Sequence, residues 1–243
     1  MQARMINGAR IVIAKDYNEM SRLAAARILK AVKRNPALSI LVPTGTTPEG
    51  VYAILRKHRN LFSQATFWNM DEYCKGKRLI SRKHPASYRN YMHDRLFRQV
   101  KAKSYFPAVR NIRHPGTYDA LIRKQGGIDL CLDAIGEDCH TFGFNFPGSS
   151  FRSRTRLVRI NKGTKEVNQQ LTGIETPAFA VTTGLGTGML AREVIVIVSG
   201  KRKAGILRKV LFSPVSEKIP ATILREHSNC TWIADKEAAR LLR

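Results

Sequence analysis

The chain has 243 residues, enough to bury a sizeable core in one α/β domain. Lysine and arginine outnumber aspartate and glutamate 42 to 18, a formal charge of +24, which favours anionic small molecules and polyanions as partners. No stretch reaches the length of a membrane span, the basic N-terminus lacks an apolar signal core, and the four cysteines fit neither zinc spacing nor a disulfide framework. A cytoplasmic protein with buried free thiols is the expectation. The cations are spread through RKHRN, KGKR, RQVKAK and GKRKAG, without a basic tail, a zinc-finger spacing or an RRM-type aromatic run. That excludes sequence-specific reading of nucleic acid and leaves non-specific polyanion adhesion at low salt. The charge opposes self-association and bound anions would offset it, so a homo-oligomer stays open.

In chain order, ARIVIA (9–14) reads as a strand and 17–33 as a helix, with Met20, Leu23, Ala24, Ile28, Leu29 and Val32 at helical spacing. SILV (39–42) is a short buried strand. Residues 48–58 form a helix, with Thr47 as N-cap and Pro48 in the first turn. ATFWNM (65–70) is a strand, and 85–100 is helical after its proline. A helix over 118–125 leads to IDLCLDAIG (128–136), an apolar strand ending in glycine. RLVRI (156–160), AFAVTTG (178–184), EVIVIVSG (193–200) and CTWIAD (230–235) are strands, KRKAGILRKVLF (201–212) is a helix, and the last residues are helical. Strands alternating with helices predict an α/β fold: a doubly wound, mostly parallel, Rossmann-like sheet in a single domain over 1–243. The least regular segment, 141–176, is expected to supply loops or a lid.

In such sheets ligands sit beyond the carboxyl ends of strands, and four of those ends carry useful chemistry. Thr44, Gly45, Thr46 and Thr47 lie between a strand and a helix N-terminus, where free N–H groups and the helix dipole favour an anion. Gly45 permits close backbone approach. The loop lacks the Walker A pattern, and a plain capped turn would read the same way. In FWNMDEY (67–73), Asp71 and Glu72 follow an apolar strand, as a catalytic base would or as solubilising loop residues would. Asp138 and His140 sit two apart after Gly136; the carboxylate can fix the tautomer of the imidazole. In VSGKRKAG (198–205), Lys201, Arg202 and Lys203 open a helix, where cations are disfavoured unless an anion lies nearby.

Taken together, PTGTTPEG, NMDEY with HPASYRNYM, GIDLCLDAIGEDCH, PGSSFRSRTR and VSGKRKAG resemble, in order and over nearly the whole chain, the glucosamine-6-phosphate deaminase/isomerase family. The resemblance implies a Rossmann-like fold and conversion of glucosamine 6-phosphate to fructose 6-phosphate and ammonia, with no metal or organic cofactor. It implies that Asp71 is the base moving a proton between C2 and C1. It gives His140 the opening of the sugar ring, with Asp138 orienting it. The amides of Gly45 to Thr47, the Thr44 hydroxyl and Lys203 would hold the substrate phosphate, and Tyr88 would lie on a covering segment. Four positions depart from the family pattern. Cys139 stands where the family has glycine, Phe146 replaces its acidic glutamate, Gln170 falls near its phosphate arginine, and Val158 replaces an allosteric lysine although Ser149 and Arg156 match. A sister family, 6-phosphogluconolactonase, shares the fold and the GEDCHT…FPG motif but not NMDEY or HPASYRNYM. A non-catalytic sugar-phosphate sensor is a further alternative. Regulators of that kind carry a helix-turn-helix, for which the segment before the first strand leaves no room.

Overall fold

The computed structural model describes residues 3–107, 114 and 116–242. Its strands are β1 (Arg4–Ile6), β2 (Ala9–Ala14), β3 (Ser39–Val42), β4 (Thr66–Asn69), β5 (Asp71–Lys75), β6 (Arg78–Leu79), β7 (Lys103–Tyr105), β8 (Leu130–Ala134), β9 (Arg156–Arg159), β10 (Phe179–Thr182), β11 (Glu193–Val198) and β12 (Cys230–Asp235). The longer helices are α1 (Tyr17–Arg34), α2 (Glu49–Lys57), α5 (Thr117–Lys124), α6 (Lys162–Thr172) and α8 (Ala204–Phe212); the short ones are α3 (Tyr88–Met92), α4 (Arg98–Val100), α7 (Leu185–Gly188) and α9 (Lys236–Ala239). None of the described helices is long and apolar enough to cross a membrane.

The main sheet runs β1-β2-β12-β11-β8-β3-β4-β7. Every neighbouring pair is parallel except the edge hairpin β1–β2. A parallel sheet covered on both faces needs strands that are apolar on both sides, and EVIVIV supplies them. Val194, Val196 and Val198 enter one hydrophobic cluster, with Trp68 and Trp232, while Ile195 and Ile197 enter the other, with Met20, Ile28 and Phe67. Each such side chain contributes about 1.5–3 kcal/mol by leaving water.

The chain reverses direction across the sheet between β3 and β8. From β3 it proceeds outward to β4 and β7; it then returns to β8 and proceeds the other way to β11 and β12. That pair of strands is therefore the topological switch point, where an open α/β sheet leaves a crevice beyond its carboxyl ends.

A second, antiparallel sheet runs β6-β5-β10-β9. The strands expected over 156–160 and 178–184 belong to it and not to the parallel sheet, while β1, β5, β6 and β7 were not foreseen. The crossing between sheets is abrupt. β4 ends at Asn69, β5 begins at Asp71, and Met70 between them donates to Val42 of one sheet and accepts from Thr183 beside the other.

Local details differ from expectation for physical reasons. Pro48, with helical φ and ψ, takes the N-cap of α2 and no side chain caps it, so Thr47 is one residue too early to serve. The single helix expected over 85–100 is α3, a π-turn at His93–Phe97 and α4; π-turns relieve a local mismatch in the helical ladder. The segment 141–176 holds β9 and α6, the latter capped by Asn161. The helix after β11 starts as a 3₁₀ turn, Lys201–Lys203. All four thiols are free, and Cys74, Cys131 and Cys139 are buried, whereas Cys230 is half-buried.

Candidate active site

The four strand ends singled out in the sequence belong to four consecutive strands of the sheet, in the order β11-β8-β3-β4. At about 4.8 Å per strand they span about 14 Å. The segment 44–47 follows β3, Asp71 follows β4, Asp138 and His140 follow β8, and Lys203 follows β11.

At the β3 end, none of the backbone N–H groups of Thr44, Gly45, Thr46 and Thr47 donates a hydrogen bond among the described residues. They precede α2, a nine-residue helix whose N-terminal end carries a partial positive charge. The Thr44 hydroxyl is held by Asn69, at 3.3 Å from Nδ2 and 3.4 Å from Oδ1. Asn69 also donates to the Asp71 carbonyl at 2.7 Å. One buried asparagine thus ties the threonine turn to the carboxylate-bearing residue.

Asp71 is 4% exposed, and its Oδ1 is buried with no hydrogen-bond partner among the described residues. Burial, then the charges of Glu72 and Asp133, push its carboxyl well above the usual range. A buried carboxylate without donors is costly. Glu72, next along β5, points to the opposite face. It accepts from Tyr73 N, Tyr88 N and Arg89 N, from the Ser87 hydroxyl and from Arg89 Nε, all at 2.8–3.0 Å. It anchors the HPASYRNYM segment; Tyr88 there bonds Tyr73 through the hydroxyls at 3.1 Å and stacks on Phe144.

At the β8 end, His140 Nδ1 and Asp138 Oδ1 are 2.5 Å apart, and Asn161 donates to Asp138 Oδ2 at 2.6 Å. Burial would raise the Asp138 carboxyl, but the hydrogen bonds from His140 and Asn161 and the His140 charge outweigh it and hold it at about 2. Asp138 is therefore ionised at neutral pH, so Nδ1 carries the shared proton. Nε2 has no partner among the described residues. The imidazole lies against Gly136, where any side chain would collide.

The loop from Cys139 to Gly143 is strained and heavily held. Cys139 and Phe142 have φ of 66° and 51°. Asp133, fully buried at the end of β8, accepts from the Thr141 hydroxyl and from Phe142 N, and Asn145 donates to the carbonyls of Thr141, Phe142 and Thr183. Gly143, φ 88°, brings this loop against Asp71: an added Cβ would sit 2.9 Å from Asp71 Oδ2 and collide with Thr182.

Lys203 is 17% exposed and lies 3.9 Å from Glu137, which also pairs with Arg202 at 3.0 Å. Burial lowers its ammonium pKa, and Glu137 and Asp138 oppose that shift. Gln170 is exposed on α6. Arg156 donates to Asn145 and Ser149 at 2.7 and 3.0 Å. Sequence reasoning missed Asn69, Asp133, Glu137 and Asn161. Asp133 did leave a signal, a charge inside the otherwise apolar LCLDAIG.

A donor-rich turn, a carboxylate without a partner among the described residues and an Asp–His pair thus lie on neighbouring strand ends at the switch point of an open α/β sheet. The chain belongs to the family described as glucosamine-6-phosphate isomerases/6-phosphogluconolactonase, which matches residues 15–232. It is 35% identical to the glucosamine-6-phosphate deaminase of Halalkalibacterium halodurans over 94% of this chain and 96% of that one. Among solved structures, a monomeric glucosamine-6-phosphate deaminase superposes with a TM-score of 0.88 at 34% identity, covering 95% of this chain and 99% of the other. The 6-phosphogluconolactonase of Trypanosoma cruzi shares the fold, with a TM-score of 0.77 at 21% identity over 98% of both chains.

Proposed function

We propose that the chain is an isomerase/deaminase of the glucosamine-6-phosphate deaminase type, acting on a phosphorylated amino sugar. The carrying observation is the buried, partnerless Asp71 tied through Asn69 to the anion turn. The amides of Gly45, Thr46 and Thr47, the Thr44 hydroxyl and Lys203 hold the phosphate, and that remote grip sets the reacting carbons against Asp71. His140, its tautomer fixed by Asp138, offers Nε2 to the ring oxygen and the C1 hydroxyl as the ring opens.

In the open chain Asp71 takes the C2 proton, the electron pair forms the C1–C2 double bond, and the C1 oxygen takes the proton that the C2 ammonium gives up. Asp71 returns its proton to C1, leaving an imine at C2. Water adds there and ammonia leaves, giving the 2-ketose phosphate. C1 and C2 are bonded neighbours, so one carboxylate reaches both.

Asp71→Asn tests the assignment. Exchange of the C2 proton should fall by a hundredfold or more, about the contribution of a general base, while binding of the sugar phosphate persists. Exchange at the wild-type rate would remove Asp71 from the mechanism.

Phe146 favours a second reading, lactone hydrolysis with Nε2 of His140 activating water, because that chemistry needs no carboxylate at this position. Ammonia release from glucosamine 6-phosphate against hydrolysis of 6-phosphogluconolactone separates the two. The excess of cations adds a non-specific affinity for polyanions that salt abolishes.

A further inference from the structure

Three tyrosine hydroxyls from three different helices converge on the carbonyl side of the anion turn. Tyr52, buried on α2, donates to Pro43 O at 2.5 Å. Tyr91, on α3, reaches Gly45 O at 3.0 Å and Glu49 Oε1 at 2.5 Å. Tyr17, at the start of α1, reaches Thr46 O at 3.2 Å and Thr47 O at 3.1 Å, and it accepts from Gly50 N at 2.8 Å. Three hydroxyl protons are thereby spread over four of the five carbonyls from Pro43 to Thr47, Tyr17 sharing its one between Thr46 and Thr47 and Tyr91 its one between Gly45 and Glu49, while among the described residues the amides of 44–47 have no partner.

We propose that Tyr17, Tyr52 and Tyr91 are positioning residues that set the anion affinity of the 44–47 turn; this rests on the phosphate reading of that turn given above. A peptide unit presents a donor and an acceptor on opposite edges. A phosphate is attracted by the first and repelled by the second, so a turn binds it well only if the carbonyls are held away. Hydroxyls drawing those carbonyls to the rear fix the peptide planes before the ligand arrives, and the ordering cost falls outside the binding step. Packing alone would be served by phenylalanine at all three positions. The arrangement also manages Glu49, whose carboxylate would repel a phosphate. Tyr91 hydrogen-bonds it, and Arg95, 3.6 Å from Glu49 and stacked 5.5 Å over the Tyr91 ring, offsets its charge.

Tyr17→Phe, Tyr52→Phe and Tyr91→Phe each delete one hydroxyl and keep the ring. Calorimetric titration of the full-length protein with inorganic phosphate, paired with steady-state kinetics on glucosamine 6-phosphate, is the test. Each variant should weaken phosphate binding about fivefold, the worth of one ordinary hydrogen bond, and raise KM by the same factor with kcat unchanged. That split marks loss of uniform binding, which a general loosening of the fold would not produce. Wild-type binding with three variants of unchanged Kd overturns the proposal and leaves the phosphate reading intact. A fall in kcat with Kd unchanged overturns it as well. Absence of phosphate binding by the wild type overturns both. Tyr17 and Tyr91 are partly exposed, so their variants carry the test even if the buried Tyr52→Phe does not fold.

Discussion

Phe146 stands edge-on to the imidazole of His140, with ring centroids 5.5 Å apart and an interplanar angle of 82°. A phenyl ring neither takes nor gives a proton, so the chain of acids that the family pattern extends beyond the histidine stops here at Asp138. In the proposed mechanism ring opening then depends on one imidazole and one carboxylate. His140→Asn should lower kcat/KM for the ring-closed sugar phosphate at least tenfold more than for an open-chain analogue, because only the former needs a proton moved at the ring oxygen. Equal losses on both substrates would assign His140 to a later step.

Asp71, the proposed base, sits where its pKa is raised, which strengthens a base but delays its ionisation. Burial and the charges of Glu72 and Asp133 act in the same direction. The acid limb of kcat/KM, which reports the free enzyme, should therefore lie well above the ordinary carboxylate range near 4. Activity should fall as pH drops through that limb. A limb near 4 would mean that Asp71 is solvated before substrate binds.

The Asp133 carboxyl is pushed up to about 6 by burial, against the pull of Thr141, Ala134, Phe142 and His140. Because the folded value exceeds the unfolded one, the native state binds the extra proton between about pH 4 and 6. Stability from this group is complete below that window and is lost as pH rises through it. A shift of about two units corresponds to about 3 kcal/mol. Urea denaturation of the wild type and Asp133→Asn at pH 4 and pH 7 should show the wild type losing about that much relative to the variant. A difference independent of pH would falsify this account of Asp133.

The main sheet and the site were legible in the sequence to different depths, for reasons set by range of interaction. EVIVIVSG, SILV and CTWIAD advertise themselves because both faces of a parallel strand are apolar. The strand ends with Thr44, Asp71, Asp138, His140 and Lys203 follow from the rule that places ligands there. The second sheet was hidden because DEYCK, with two adjacent acids, reads as a loop; only pairing with β10 and the anchoring of Glu72 by Ser87 and Arg89 make it a strand. The bonds from Tyr17 and Tyr91 to the turn span 29 to 46 residues and leave no local signature. Thr47 misled because its type fits a cap, while the conformation of Pro48 decided where the helix begins.

Cys139 offers a direct test of strain in the loop that carries His140. Its φ of 66° lies in the left-handed region, where a Cβ costs about 1–2 kcal/mol. The backbone cannot relax, because Cys139 N donates to Gly136 at 3.1 Å and its carbonyl accepts from Ala221 at 3.0 Å. At an ordinary helical position alanine is more stable than glycine by about 0.5–1 kcal/mol. Here the order should invert. Cys139→Gly should exceed Cys139→Ala in stability by about 1 kcal/mol, since both lose the buried sulfur and only one keeps the strain. Chemical denaturation of the pair measures the difference without reference to the thiol. If alanine proves the more stable, the loop is not held in the left-handed geometry in solution, and His140 two bonds away is not fixed by it.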